Sequence, residues 1–113
     1  MLNQCILVGN LGDDPAVFFT HEGNPITTFS IAFQSSPKKT GWIKITCYNR
    51  LGEIASKYLT KGSRVAVTGI LDQHKWTTDD GQNRSTFQVI ATNLEFIKVS
   101  YQGNEVQTDD IPF

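Results

Sequence analysis

Two short stretches of the chain set aromatic rings beside fixed positive charge. Trp42, Lys44 and Tyr48 lie two and then four residues apart, a spacing that puts side chains on one face of a strand. Lys75 and Trp76 adjoin just before a turn, and Arg84 stands on its far side. Rings beside Lys or Arg suit an unpaired polynucleotide, whose flat bases stack on aromatic planes and whose phosphates pair with cations. A single Trp serves as readily in a core or an oligomer contact. In the first stretch the alternation favours an exposed role, because Ile43, Ile45 and Cys47 take the opposite face.

Other chemistries find little support. The sequence holds no GxxxxGK[ST] loop, GxSxG or HExxH, and its histidines, His21 and His74, stand alone, so an enzyme is not expected. Asp13-Asp14 and Asp79-Asp80 sit in turn sequences, where adjacent carboxylates usually bond local backbone instead of a metal. Cys5 and Cys47 lie in apolar strand-like runs without CxxC or Cys/His spacing, which reads as two reduced core thiols. No cofactor and no metal are expected.

The elements that must position the rings follow from hydropathy. With 113 residues, 39% apolar and 19% charged, the chain reads as one globular folding unit. Leu2 to Gly9 is a first strand, closed by turn residues through Pro15, and Thr27 to Gln34 alternates as a second. Trp42 to Asn49 is the third. Leu51, Ile54, Ala55, Tyr58 and Leu59 then form the stripe of an amphipathic helix, with Asn49 as its N-cap and Gly62 as its stop. Arg64 to Trp76 and Arg84 to Val99 are two more strands, joined by a turn carrying Asp80-Gly81; Gly69 marks a bulge or bend. Five strands with a helix between the third and fourth match the order of the OB-fold, a Greek-key barrel that binds oligonucleotides.

Beyond Val99 the apolar pattern is lost, so residues 1–99 are expected as the barrel and 100–113 as a flexible, disordered acidic tail. The net charge of −1 hides an asymmetry: residues 1–104 hold all 10 Lys and Arg against 8 acids, whereas the last nine hold three acids and no base. No stretch is long and apolar enough to span a bilayer, and Met1 to Gly12 lack a basic segment and cleavage site, so the expected compartment is the cytoplasm.

These residues resemble the bacterial single-stranded DNA-binding proteins, the homotetrameric OB-fold family. The likeness lies in Cys5-Ile-Leu-Val-Gly-Asn-Leu-Gly-Asp-Asp-Pro15, in Glu53-Ile-Ala-Ser-Lys-Tyr-Leu-Thr-Lys-Gly-Ser63, and in Lys75-Trp76-Thr77 with Gly81-Gln82 and Arg84. Asp109-Asp110-Ile111-Pro112-Phe113 is similar to the family's partner-binding acidic tip. The resemblance implies base stacking on Trp42, Tyr48 and Trp76, and backbone contacts from Lys44, Arg50, Lys61, Lys75 and Arg84. It also implies a homotetramer, a nucleoid-associated protein that protects single-stranded DNA, and recruitment of DNA replication, recombination and repair proteins through Asp109, Asp110, Ile111, Pro112 and Phe113.

The chain departs from that family in places. The connection Ser35 to Gly41 is short, and Pro37 stands near where many members carry another stacking Trp. Phe18, Asp72 and His74 occupy positions often basic, which predicts a smaller electrostatic contribution. The tip follows the barrel with almost no linker, which suggests a phage, mobile-element or accessory version. A primosomal replication protein of the same fold would lack the tip. A protein–protein interaction barrel would use its aromatic face on a partner instead of on bases.

Overall fold

The computed structural model describes residues 1–101 and 104–106. Its elements run β1 (Cys5–Leu11), β2 (Ala16–Phe19), β3 (Pro25–Ser36), β4 (Lys39–Tyr48), α1 (Asn49–Tyr58), β5 (Arg64–Thr77), β6 (Asn83–Tyr101) and β7 (Asn104–Val106). The five expected strands are present as β1, β3, β4, β5 and β6, with α1 between the third and fourth of them.

Pairing closes these five into a ring. β1 pairs with β5, β5 with β6, β6 with β4, β4 with β3, and β3 returns to β1. The last closure is short, only Asn10↔Ala32 and Leu11↔Ile31, and the β4–β6 contact is parallel over Lys44↔Gln88, Ile45↔Val89 and Thr46↔Ile90. The result is a partly open, OB-type barrel, mainly β, as expected. Alternation places Phe29, Ile31, Ile45, Cys47, Val65, Val67, Val89, Leu94 and Phe96 in its interior. Helix α1 plugs one end with Ile54 and Ala55, and Leu59 follows them into the core. Buried Thr27 donates its hydroxyl to the Gly52 carbonyl at 2.7 Å, which ties the plug to β3. Burial pushes the Cys47 thiol up to about 12, because a thiolate would lose its hydration there.

Several boundaries differ from the sequence reading. Strand β1 extends to Leu11 because that side chain is buried and pairs with Ile31. Asn49 is not the N-cap: Tyr48 holds that position without a side-chain bond, and Asn49 takes φ +56°, a left-handed conformation Asn tolerates better than most residues. Gly62 does not stop the helix. α1 ends at Tyr58, its Leu59 N–H bonds the Ala55 carbonyl, and Gly62 at φ +90° serves the following turn. Gly69 marks a bulge, whose extra residue is Thr92 on the partner strand: Thr68 pairs with Asn93 and Gly69 with Ala91.

Two strands carry no signal in the sequence. β2, Ala-Val-Phe-Phe, is exposed along its length and gains its ladder from β3, Ala16↔Thr28 to Phe19↔Pro25. Past Val99, β6 continues to Tyr101 and β7 returns along it, Val99↔Val106 to Tyr101↔Asn104. The tip, Asp109 to Phe113, lies outside the described residues. Among the described residues no helix is long and apolar enough to cross a membrane, and no cluster of His, Cys, Asp or Glu could hold a metal.

Candidate nucleic-acid interface

Register decides which side chains share a face. In β4, Trp42, Lys44, Thr46 and Tyr48 point away from the interior that Ile45 and Cys47 fill. Their partners extend the same outer face: Ala32, Ser30, Thr28 and Ile26 on β3, then Phe18 on β2 opposite Ile26. On the other side, Lys44 and Gln88 are neighbours. Gln88, Thr86 and Arg84 on β6 lie opposite Asp72, His74 and Trp76 on β5. One continuous outward surface therefore runs from Phe18 through Tyr48, Lys44 and Gln88 to Trp76.

Its rings are open to solvent: Trp42 is 61% exposed, Tyr48 44%, Trp76 42% and Phe18 59%. Such apolar exposure on one face marks a binding surface. Trp42 lies over Gly12, where an added Cβ would come within 2.5 Å of the ring. The absent side chain thus gives the indole a flat seat. Trp76 stacks on His74, ring centroids 5.4 Å apart and planes at 24°. At the hairpin tip, Arg84 Nη2 donates to Gln82 Oε1 at 2.9 Å, which steers the guanidinium along the turn. The middle of the surface is a hollow of about 290 Å³ with Phe18, Lys44, Tyr48, His74 and Gln88 in its lining.

The expected site residues separate into groups. Trp42, Lys44, Tyr48, Trp76 and Arg84 share this outer surface. Lys75 pairs with Ser85, one step out of phase with Trp76↔Arg84, so it belongs to the opposite face of the β5–β6 ribbon. The two faces meet at the hairpin tip, where Lys75, Trp76 and Arg84 line one recess. Arg50 is not brought to the surface's hollow; it lines a recess on α1 with Ile54, Lys57 and Tyr58, and its guanidinium lies 3.5 Å from Glu53. Lys61 sits in the turn after α1, its backbone N–H donating to Asp14 Oδ1 at 2.8 Å. The acidic pairs are turn residues. Asp14 anchors Lys61, while Asp80 accepts from the Thr78 hydroxyl, a bond that together with the Gln82 N–H lowers its pKa.

Thr46 and Gln88 join the surface without having been expected there, and with them come Phe18, Asp72 and His74, which the resemblance marks only as positions often basic in the family. Phe18 lies on a strand without alternation, and only the register with Ile26 places it. His74, two residues before Trp76, could have been found from the period of two. The hydrogen-bonded chain of Thr46, Gln88 and Asp72 joins three strands and has no local signature.

Comparison with known proteins follows the same outline. The Single-strand binding protein family matches residues 2–97. The chain is 38% identical to a single-stranded DNA-binding protein of Xylella fastidiosa, over 85% of this chain and 63% of that one. It is also 38% identical to one of Xanthomonas campestris, over 85% of this chain and 60% of that one. It thus spans about three fifths of the length of these curated relatives. Among solved structures, the Plasmodium falciparum SSB in complex with ssDNA superposes with a TM-score of 0.78 at 30% identity, covering 86% of this chain and 96% of that one.

Proposed function

Since the chain belongs to the single-strand binding protein family, we propose that it binds and protects single-stranded DNA with little sequence preference, as a binding module and not as an enzyme. The observation that carries this reading is the continuous outer surface on which Trp42, Tyr48, Trp76 and Phe18 are exposed beside Lys44 and Arg84. Bases stack on the rings, since every base has a π-face, and Lys44 and Arg84 take phosphates. With few cations on the surface and Asp72 among them, stacking outweighs counterion release, and affinity falls only shallowly with salt.

Titration with oligothymidylate, read by intrinsic fluorescence, tests this reading. Binding should quench the Trp emission, and Trp42→Ala and Trp76→Ala should each cost about 1–3 kcal/mol of affinity with the fold intact. Unchanged affinity in both variants, or equal affinity for duplex, would sink the reading.

The protein works as a homotetramer in the cytoplasm, on the nucleoid. Among the described residues the edge of β1 over Cys5 to Gly9 that faces away from β5 has no strand partner, which supports assembly, as do exposed Ile6 and Val8. A strand edge with apolar neighbours is a pairing surface. Light scattering at micromolar concentration should give four times the chain mass. Asp109, Asp110, Ile111, Pro112 and Phe113 dock DNA replication, recombination and repair proteins. Two carboxylates followed by apolar residues suit a pocket with a basic rim. Deleting residues 109–113 should abolish partner capture and leave DNA affinity at least as high.

A further inference from the structure

We propose that Gln88 is a base-edge contact in the central hollow, and that Asp72 and Thr46 are the positioning residues that hold its amide for that task; the inference rests on the single-stranded DNA reading above. Gln88 lines the hollow together with the exposed rings of Phe18 and Tyr48. A base stacked on either ring would turn its edge toward the sheet, where this amide lies.

The amide has one possible orientation. Asp72 Oδ2 lies 2.9 Å from the Gln88 side chain, and a carboxylate only accepts, so the amide nitrogen must face β5. The oxygen then faces β4, where the buried Thr46 hydroxyl donates to it at 2.6 Å. Each end of the amide thus keeps one valence unspent: a second N–H and a second carbonyl lone pair. A base edge carries a donor beside an acceptor, such as thymine N3–H and O4 or cytosine N4–H and N3. A single planar amide can meet either pair with two bonds. Side-chain freedom has already been removed by Thr46 and Asp72, so little further ordering opposes the contact. Because each base offers such a pair, the contact adds affinity while discriminating weakly, which fits a sequence-tolerant groove.

The same geometry gives Asp72 a role that its charge alone would not. As a charge on a surface that takes phosphates, it repels the ligand. As an acceptor, it fixes the amide. The two roles predict opposite signs for its removal. If Asp72 acted by charge alone, Asp72→Ala would tighten binding, most at low salt. If it positions Gln88, Asp72→Ala weakens binding once charge is screened at about 1 M salt. Asp72→Asn, which can still accept from the amide N–H, then retains most of the affinity.

The experiment measures binding of the full chain to oligothymidylate, and to the same strand built from N3-methylthymine, at low salt and at about 1 M salt. N3-methylthymine keeps the stacking face but lacks the N3–H donor. Gln88→Leu should bind the thymine strand about three- to tenfold more weakly and the methylated strand no more weakly than the unaltered protein does. Asp72→Ala should lose about threefold or more on the thymine strand at high salt, with Asp72→Asn close to the unaltered protein; thermal unfolding of each variant checks that the barrel is kept. Equal losses on both strands would make Gln88 a backbone contact and overturn the proposal, as would unchanged or tighter high-salt binding by Asp72→Ala. If the unaltered protein binds neither strand, the single-stranded DNA reading falls first and the inference with it.

Discussion

The same two strands build a buried half and an exposed half. Where β5 and β6 leave the α1 end, Val65, Val67, Leu94 and Phe96 are almost wholly inaccessible. Beyond the bulge at Thr68 and Gly69, the ribbon becomes an arm on which Ile70, Leu71, Trp76 and Phe87 are all at least 40% exposed. β-forming residues and ladder pairing run through both halves, to Thr77↔Asn83. Strand propensity therefore does not distinguish them; the presence of β1 and α1 around the base does, while β4 reaches the arm only at its root, from Gln88 to Ile90. The base holds the barrel together by burial. The arm is held by its backbone ladder and turn, leaving its side chains free to meet a ligand.

The sharpest test of that contrast is a deletion in the base. Leu94→Ala removes a side chain that is 1% exposed and should cost about 2–5 kcal/mol of global stability. Urea unfolding measures it. A cost below about 1 kcal/mol would mean that the base is not the stabilising half. At the boundary itself, a Cβ on Gly69 would collide with the Ile90 carbonyl oxygen. Gly69→Ala should cost about 1–3 kcal/mol, because backbone must shift to admit the methyl. Its effect should also reach the arm, seen as altered amide chemical shifts from Ile70 to Trp76.

The base was far more legible in the sequence than the arm. Ile43, Ile45 and Cys47 alternate with Trp42, Lys44 and Tyr48, and the structure keeps that division of faces, because one face of each barrel strand must be apolar. Thr46 shares the outward register of Lys44 and Tyr48, yet it is buried, held by its bond to Gln88. The helix stripe of Leu51, Ile54 and Ala55 was equally plain; its ends were not, since Asn49 took a left-handed turn where a cap was expected. In the arm and its neighbours the useful information is register between distant strands. Phe18 reaches the surface through Ile26 and Tyr48, and Asp72 reaches Thr46 through Gln88. Pairings of residues 8 to 42 positions apart leave no trace in local periodicity.

A pH test acts on the buried half alone. Cys47 ionises near 9.0 when unfolded but only at about 12 in the folded chain. The unfolded state therefore releases its proton first as pH rises. The stability tied to this thiol is present in full below about pH 9 and is lost toward pH 12, by up to about 1.4 kcal/mol per pH unit. Cys47→Ala should show a shallower decline between pH 9 and 10 in parallel denaturant series. Identical slopes would mean that water reaches the thiol and that the base is less sealed than its burial indicates.

The smallest effect is expected at the tip of the arm. Gly81 takes φ +87°, and an added Cβ would meet nothing within 4 Å. A substitution there is opposed by backbone conformation alone, about 1 kcal/mol for Ala and less for Asn. The Gly81 N–H bonds the Thr78 carbonyl, and the Thr78 N–H bonds the Gln82 carbonyl, so the strain falls on a turn closed by its own residues. If the arm opens independently of the barrel, Gly81→Ala should speed amide exchange at Thr78 and Gly81 while leaving the global unfolding midpoint nearly unchanged. Gly81→Asn should restore slow exchange. Should Gly81→Ala instead lower the unfolding midpoint in proportion to its full local cost, arm and base would melt as one cooperative unit. The exposed half would then contribute to holding the fold as well as to meeting the ligand.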